Sequence, residues 1–210
     1  MIKRYCLAFD LRNDPALIRQ YRYVHSKEGM WPAIPKGIKA VGIFDMEIYL
    51  SGTRMYMILE TPTDWDYDSQ MALCGTLEKQ AEWNEYVWQF QQRLPYAKNG
   101  EKWMHMEKVF HLHPIDNHGS ALTGYPEKSY TIPTKRWVSF INTEQTPDQL
   151  IPKDFNCNDV LDLQLYQIGT RICLIAETLP DFNWQQNMPP AISANGSLME
   201  KVFDLDRDFE

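Results

Sequence analysis

No long run of like charge, no extended apolar stretch and no paired cysteines occur in this sequence, and each absence removes a class of function. The net charge of −7 is spread along the chain. Neither the basic face of a nucleic-acid binder nor a polybasic membrane anchor is therefore expected. No segment approaches the roughly 20 apolar residues of a bilayer-spanning helix, and residues 1–9 lack the apolar core and cleavage site of a secretory leader. A cytoplasmic location is expected. The four cysteines, Cys6, Cys74, Cys157 and Cys173, are widely spaced and show no paired metal or disulfide pattern. Cys6 and Cys173 lie in apolar, strand-like runs, where a thiol behaves as a small hydrophobe. What remains is an acidic chain with 7 Trp, 11 Tyr and 9 Phe, a composition suited to a small neutral ligand with apolar faces.

What the sequence does have is an internal repeat. The run DMEIYLSGTRMYMILETPTDWDY at 45–67 aligns without gaps to DLQLYQIGTRICLIAETLPDFNW at 162–184, with nine identical positions at an offset of 117. Among them are Asp45/Asp162, Tyr49/Tyr166, Gly52/Gly169 and Glu60/Glu177. The pentapeptide Met-Glu-Lys-Val-Phe at 106–110 recurs at 199–203, offset 93, and Lys3-Arg4-Tyr5 resembles Lys135-Arg136-Trp137, offset 132. The falling offsets mean that the second copy lacks 15 residues between its first two strands and a further 24 before its last. Both losses fall where the first copy carries helices.

In the first copy, residues 4–11 read as a strand, and Asp14-Pro15 supplies an N-cap followed by proline at the first helical position. That helix is expected to run to about Lys27. Residues 37–50 and 55–61 read as a hairpin turning at Gly52. Residues 69–94 carry Leu77, Ala81, Trp83, Val87, Phe90 and Leu94 at helical spacing and stop at Pro95, so a second helix is expected there. A strand over 103–112 closes the unit. The order βαββαβ is that of a ferredoxin-like α+β fold, with helices on one face of an antiparallel sheet. The domain reading is a complete repeat over 1–113, a Pro/Gly/Ser/Asn-rich linker over 114–133 and a degenerate, mostly β repeat over 134–210. The bare sheet face needs a partner. Either the second copy provides it, forming an α/β-barrel-like pseudo-dimer within a monomer, or two chains pair as a homodimer.

Tyr21 and His25 lie one turn apart on the first helix and are followed by Met30-Trp31-Pro32. With Ile48-Tyr49-Leu50 in the hairpin, Glu60 ending the next strand, a Trp-bearing second helix ending in Leu94-Pro95 and the closing Glu107-Lys108-Val109-Phe110, this pattern resembles the L-rhamnose mutarotase family over about residues 2–113. The resemblance implies interconversion of the α and β anomers of a reducing sugar through an open-chain aldehyde, with His25 as acid/base and Tyr21 and Trp83 holding the sugar. Tyr49, Trp31 and Trp88 are further candidate sugar contacts. Histidine suits the task because its ordinary pKa lies near neutrality. The implied ligand is a monosaccharide, and no cofactor or metal is expected.

Two positions depart from the family pattern: Asn84 stands where a second tryptophan follows Trp83, and Met46 where a tyrosine opens the second strand. The implied substrate is therefore a 6-deoxyhexose, L-rhamnose or L-fucose, with neither selected. Glu60 persists as Glu177 in a copy without the histidine, which argues for a structural role. His111, His113, Asp116 and His118 form a cluster of metal-ligating types, but His111 aligns with Asp204, the cluster runs into the linker, and anomer exchange has no use for a metal. The competing functional reading is a non-catalytic sugar-binding or regulatory protein on the same fold.

Overall fold

The structure is a computed structural model and describes residues 2–98, 101–112, 133–155 and 157–209. Two compact units emerge, Met1–His105 with Glu200–Glu210, and Met106–Met199. Neither is a single run of sequence that begins and ends at the repeat boundary.

In the first unit, β1 (Ile2–Leu11) is central. It pairs antiparallel with β3 (Arg54–Pro62) on one side and with two short strands, β4 (Gln91–Gln92) and β5 (Met104–His105), on the other. Cys6, Leu7, Ala8 and Phe9 are all buried, so this strand shows no polar alternation. β2 (Asp45–Ser51) pairs with β3 through the expected hairpin, and Gly52 takes φ +59 in its turn, a backbone conformation that suits glycine. The sheet order, β2-β3-β1 and then β5 or β4, is that of a ferredoxin-like unit.

Leu7 and Phe9 of β1, Met46 and Ile48 of β2, and Met57 and Leu59 of β3 form the sheet side of the core. The helices cover this face. α1 (Pro15–Val24) begins as expected: the Asp14 carboxylate accepts from Ala16 N at 2.7 Å and Leu17 N at 3.3 Å, with Pro15 next. It ends three residues earlier than expected, because Ser26 N turns tightly onto Tyr23 O.

Two expectations fail in instructive ways. Residues 37–44 are not strand: α2 (Ala33–Ala40) takes the first half of the stretch and a turn the rest, the helix burying Ile34 and Ile38 one turn apart, with Pro35 tolerated in the first turn. Residues 69–94 are not one helix. α3 (Tyr67–Thr76) stops where Leu77 becomes extended, Lys79 takes the left-handed conformation at φ +64, and α4 (Gln80–Trp88) follows before the chain enters β4. A lysine in that conformation costs about 1–2 kcal/mol, so long-range contacts, and not local preference, hold the break.

The second unit repeats the plan with almost no helix. β7 (Lys135–Asn142), β8 (Val160–Ile168), β9 (Arg171–Thr178) and β10 (Ser197–Leu198) stand in the order β10-β7-β9-β8, and Gly169 takes φ +57 in the hairpin turn. Single turns, α5 (Pro147–Leu150), α6 (Trp184–Asn187) and α7 (Pro190–Ser193), replace the helices. They bury Leu150, Trp184 and Ile192 against Leu163, Leu165, Ile172 and Leu174.

The pentapeptides end up in exchanged places. β6 (Glu107–Leu112), expected to close the first unit, pairs instead with β8, while β11 (Glu200–Asp204) pairs with β2. The registers match position for position: Lys108 faces Tyr166 as Lys201 faces Tyr49, and both strands shift register at the next residue. The same correspondence holds for the buried pairs Arg4–Glu60, at 2.9 Å, and Arg136–Glu177. The structural reading of Glu60 rests on that pairing, since its carboxylate is committed to Arg4.

The linker over 114–133 lies, apart from Pro133, outside the described residues, as do His113, Asp116 and His118. His111 Nε2 lies 2.6 Å from Asp162 Oδ1, and the described residues include no group of three or more side chains arranged to hold a metal. Among the described residues no helix is long and apolar enough to cross a membrane.

Candidate active site

Between the helices and the sheet of the first unit lies a cavity of about 120 Å³. It is well below the roughly 300–1,000 Å³ of a drug-sized pocket, so it takes only a small molecule. Its walls are mostly apolar: Met46, Ile48 and Met57 from the sheet, Ile34 and Ile38 from α2, and Trp83 from α4. Polar groups enter at separate points, from Tyr21, His25, Gln80, Asn84, Gln91 and Lys102. Neutral side chains predominate, which suits an uncharged polyhydroxylated ligand.

α1 places Tyr21 and His25 side by side, with ring centroids 3.9 Å apart. His25 sits at the helix C-cap, and its Nδ1–H donates to Tyr21 O at 2.9 Å. The acceptor is a carbonyl, so this bond fixes the tautomer and leaves the Nε2 lone pair for other work. Burial lowers the His25 pKa to about 4, against a smaller opposing effect of the hydrogen bond to Tyr21. The imidazole is therefore a neutral base across the physiological range, where the unperturbed value would leave it partly charged. Burial also pushes the Tyr21 phenol far above its usual range. That hydroxyl is buried without a hydrogen-bond partner among the described residues, a condition costing about 1–3 kcal/mol that a ligand hydroxyl would relieve.

Trp83 lies against His25, ring centroids 5.4 Å apart at 63°, and supplies an apolar wall. Phe203 of β11 also meets the His25 ring edge-on, at 6.2 Å and 90°. The C-terminal strand thus holds the histidine, and Arg22 of α1 reinforces the junction through two bonds to Glu200, at 2.8 and 3.1 Å.

The structure brings Tyr21, His25 and Trp83 to one cavity and leaves the other three candidates outside its walls. Trp31 stacks on Tyr86 at 5.4 Å and meets Trp83 edge-on at 5.3 Å, so it packs on that wall without lining the cavity. Trp88 packs on Phe9 and lies beneath Lys102 and Arg93. Tyr49, one residue out of phase with Met46 and Ile48 on β2, points to the opposite sheet face and donates to Glu47 Oε2 at 3.1 Å. Its counterpart Tyr166 donates likewise to Gln164 in the second unit.

Met46 and Asn84, the two departures from the family pattern, both line the cavity. Gln80, Gln91 and Phe203 were not anticipated. Gln80 lies at the unforeseen helix break, and Gln91 follows α4 inside a stretch read as helix. For Phe203 the signal was the repeated pentapeptide, whose exchange between the sheets local patterns do not reveal.

Residues 4–112 match the family model described as L-rhamnose mutarotase. An L-fucose mutarotase of Xanthomonas campestris pv. campestris is 32% identical over 111 residues, covering 53% of this chain and 89% of that protein. A UPF0734 protein of Dictyostelium discoideum is 32% identical over 114 residues, covering 52% of this chain and 90% of its own.

Proposed function

The chain belongs to the L-rhamnose mutarotase family, and from that premise we propose that it is an isomerase interconverting the α and β anomers of a 6-deoxyhexose such as L-rhamnose or L-fucose. One observation carries the reading. His25, its Nδ1 tied to Tyr21 O, is left with Nε2 as a neutral base beside a Tyr21 hydroxyl that has no partner among the described residues, in a small, mainly apolar cavity.

In this mechanism His25 Nε2 takes the proton from the anomeric O1–H. The C1–O5 bond breaks as C1=O1 forms, and the imidazolium returns the proton to O5, giving the open-chain aldehyde. Rotation about C1–C2 and then the reverse steps close the ring from the other face. Atoms and charge balance with one histidine. Tyr21 donates its hydroxyl hydrogen to a sugar oxygen, and Trp83 lies along an apolar C–H face of the ring. Excluding water strengthens these polar contacts.

The test is NMR exchange between the anomeric proton signals of L-rhamnose and of L-fucose. Wild type is expected to accelerate exchange of at least one sugar, and His25→Ala to lose about 10²–10⁴-fold of that rate. Tyr21→Phe is expected to slow exchange while leaving the fold equally stable or about 1 kcal/mol more so, because it deletes an unpaired buried group. Exchange no faster than in buffer for both sugars, with saturable binding, would instead favour the sugar-binding reading.

The matching sheet orders and registers also support reading the chain as a duplication, a complete repeat over 1–113 and then a reduced one over 134–210. In that reading the second copy stands in for a partner subunit, and the protein carries one sugar site.

A further inference from the structure

The helix break between α3 and α4 places Gln80 at the first position of α4, 4% exposed and in the cavity wall. A buried carboxamide has a donor end and an acceptor end, and both need partners. Here the donor end is committed: Nε2 lies 2.9 Å from Ile34 O on α2. The other end, Oε1, is then the acceptor that Gln80 has left to offer.

Space for this arrangement comes from Gly37 on α2. A Cβ there would stand 2.3 Å from Gln80 Nε2, so only glycine lets the amide lie across the helix at this height. Glycine in mid-helix and a left-handed lysine at Lys79 are both unfavourable locally, and both serve the same placement. Unfavourable backbone held by long-range contacts is characteristic of sites that orient a group for a ligand.

From this geometry we infer that Gln80 is a specificity-determining residue whose Oε1 accepts a hydrogen bond from one ring hydroxyl of the bound sugar. The inference rests on the mutarotase reading for the identity of the ligand. Gln80 takes no part in proton transfer. It sets which hydroxyl pattern fits, because a bound sugar that covers Oε1 without offering that hydroxyl leaves the acceptor unpaired.

The experiment measures anomeric exchange kinetics and, separately, saturation-transfer NMR binding for the better of L-rhamnose and L-fucose and for its 2-, 3- and 4-deoxy analogues. Wild type, Gln80→Met and Gly37→Ala are compared. Gln80→Met keeps the length but neither accepts a bond nor donates one to Ile34 O. Gly37→Ala displaces the amide without changing the identity of any side chain that lines the cavity. For the parent sugar both variants are expected to raise KM and Kd about tenfold with little change in kcat, the scale of one neutral hydrogen bond. For the single analogue that lacks the partner hydroxyl, the penalty should vanish in both variants.

An equal penalty on every sugar in the panel would show that Gln80 only tethers α4 to α2, and would overturn the inference while leaving the mutarotase reading intact. Wild type that binds the panel without accelerating exchange would overturn the mutarotase reading, and the hydroxyl-specific loss of binding would still decide the role of Gln80. Wild type that neither binds nor turns over any of these sugars overturns both. If Gln80→Met lowers the melting temperature, Gly37→Ala carries the comparison.

Discussion

His25 ties the chemistry of the cavity to the stability of the fold. Its folded-state pKa of about 4 lies below the unfolded value of 6.5, so between those values the unfolded chain binds more protons. The stability linked to neutral His25 is fully present above pH 6.5 and is lost as the pH falls towards 4. Urea unfolding at pH 7 and at pH 5 should show wild type losing about 2 kcal/mol more than His25→Gln over that interval. Equal losses in the two proteins would mean that His25 is not held neutral by burial. The pairing of Tyr21 with His25 was legible in the sequence, because four-residue spacing on a helix fixes two side chains on one face. The direction of the histidine's pKa was not, since it depends on the aromatic residues around the ring, among them Phe203, which comes from 178 positions further along the chain.

Among the elements, α1 and β11 share the task of fixing His25. The Arg22–Glu200 pair between them is largely exposed, with side chains 37% and 58% accessible, so it adds at most about 1 kcal/mol. Phe203, by contrast, is buried at 2% exposure in the core. Phe203→Ala should cost about 3–5 kcal/mol in chemical denaturation and slow anomeric exchange more than Glu200→Ala does. If the two substitutions slow exchange alike, packing against the ring is not what orients it. The strands of both hairpins and the start of α1 could be read locally, because alternation, turn glycines and an Asp-Pro cap are short-range signals. α2 and the break before α4 could not. In α2 the two apolar anchors, Ile34 and Ile38, surround Pro35 and Gly37, residues that by propensity speak against a helix. At the break, an unbroken helical spacing of apolar residues hides a conformation in which Gln80 reaches back to Ile34 O.

For the whole molecule, the exchange of β6 and β11 makes each unit's sheet include a strand that the sequence repeat assigns to the other copy. A chain that supplies this strand to itself has no need to borrow it from a second chain. Light scattering after size exclusion is therefore expected to give a particle near 24.7 kDa. A particle of twice that mass at micromolar concentration would show that the internal supply does not replace a subunit. The repeat was legible from identities at a constant offset, but the exchange was not, because both pentapeptides read as the closing strand of their own copy.

Residues 107–110 and 200–203 are the same four in the same order, so the edge of β2 meets two strands whose shared side chains it cannot tell apart. The choice between them falls to connectivity and to the residue next in line: Asp204 in one strand, which accepts from Lys201 at 2.9 Å, against His111 in the other. During synthesis the N-terminal copy of the segment emerges first and finds the C-terminal copy's place at β2 still vacant. A nascent chain stalled before residue 200 therefore has a wrong but sequence-compatible strand available, and reaching the native pairing from that state requires an edge-strand replacement. The repeated segment that supplies the partner strand also builds a competitor for its place into the folding of the same chain.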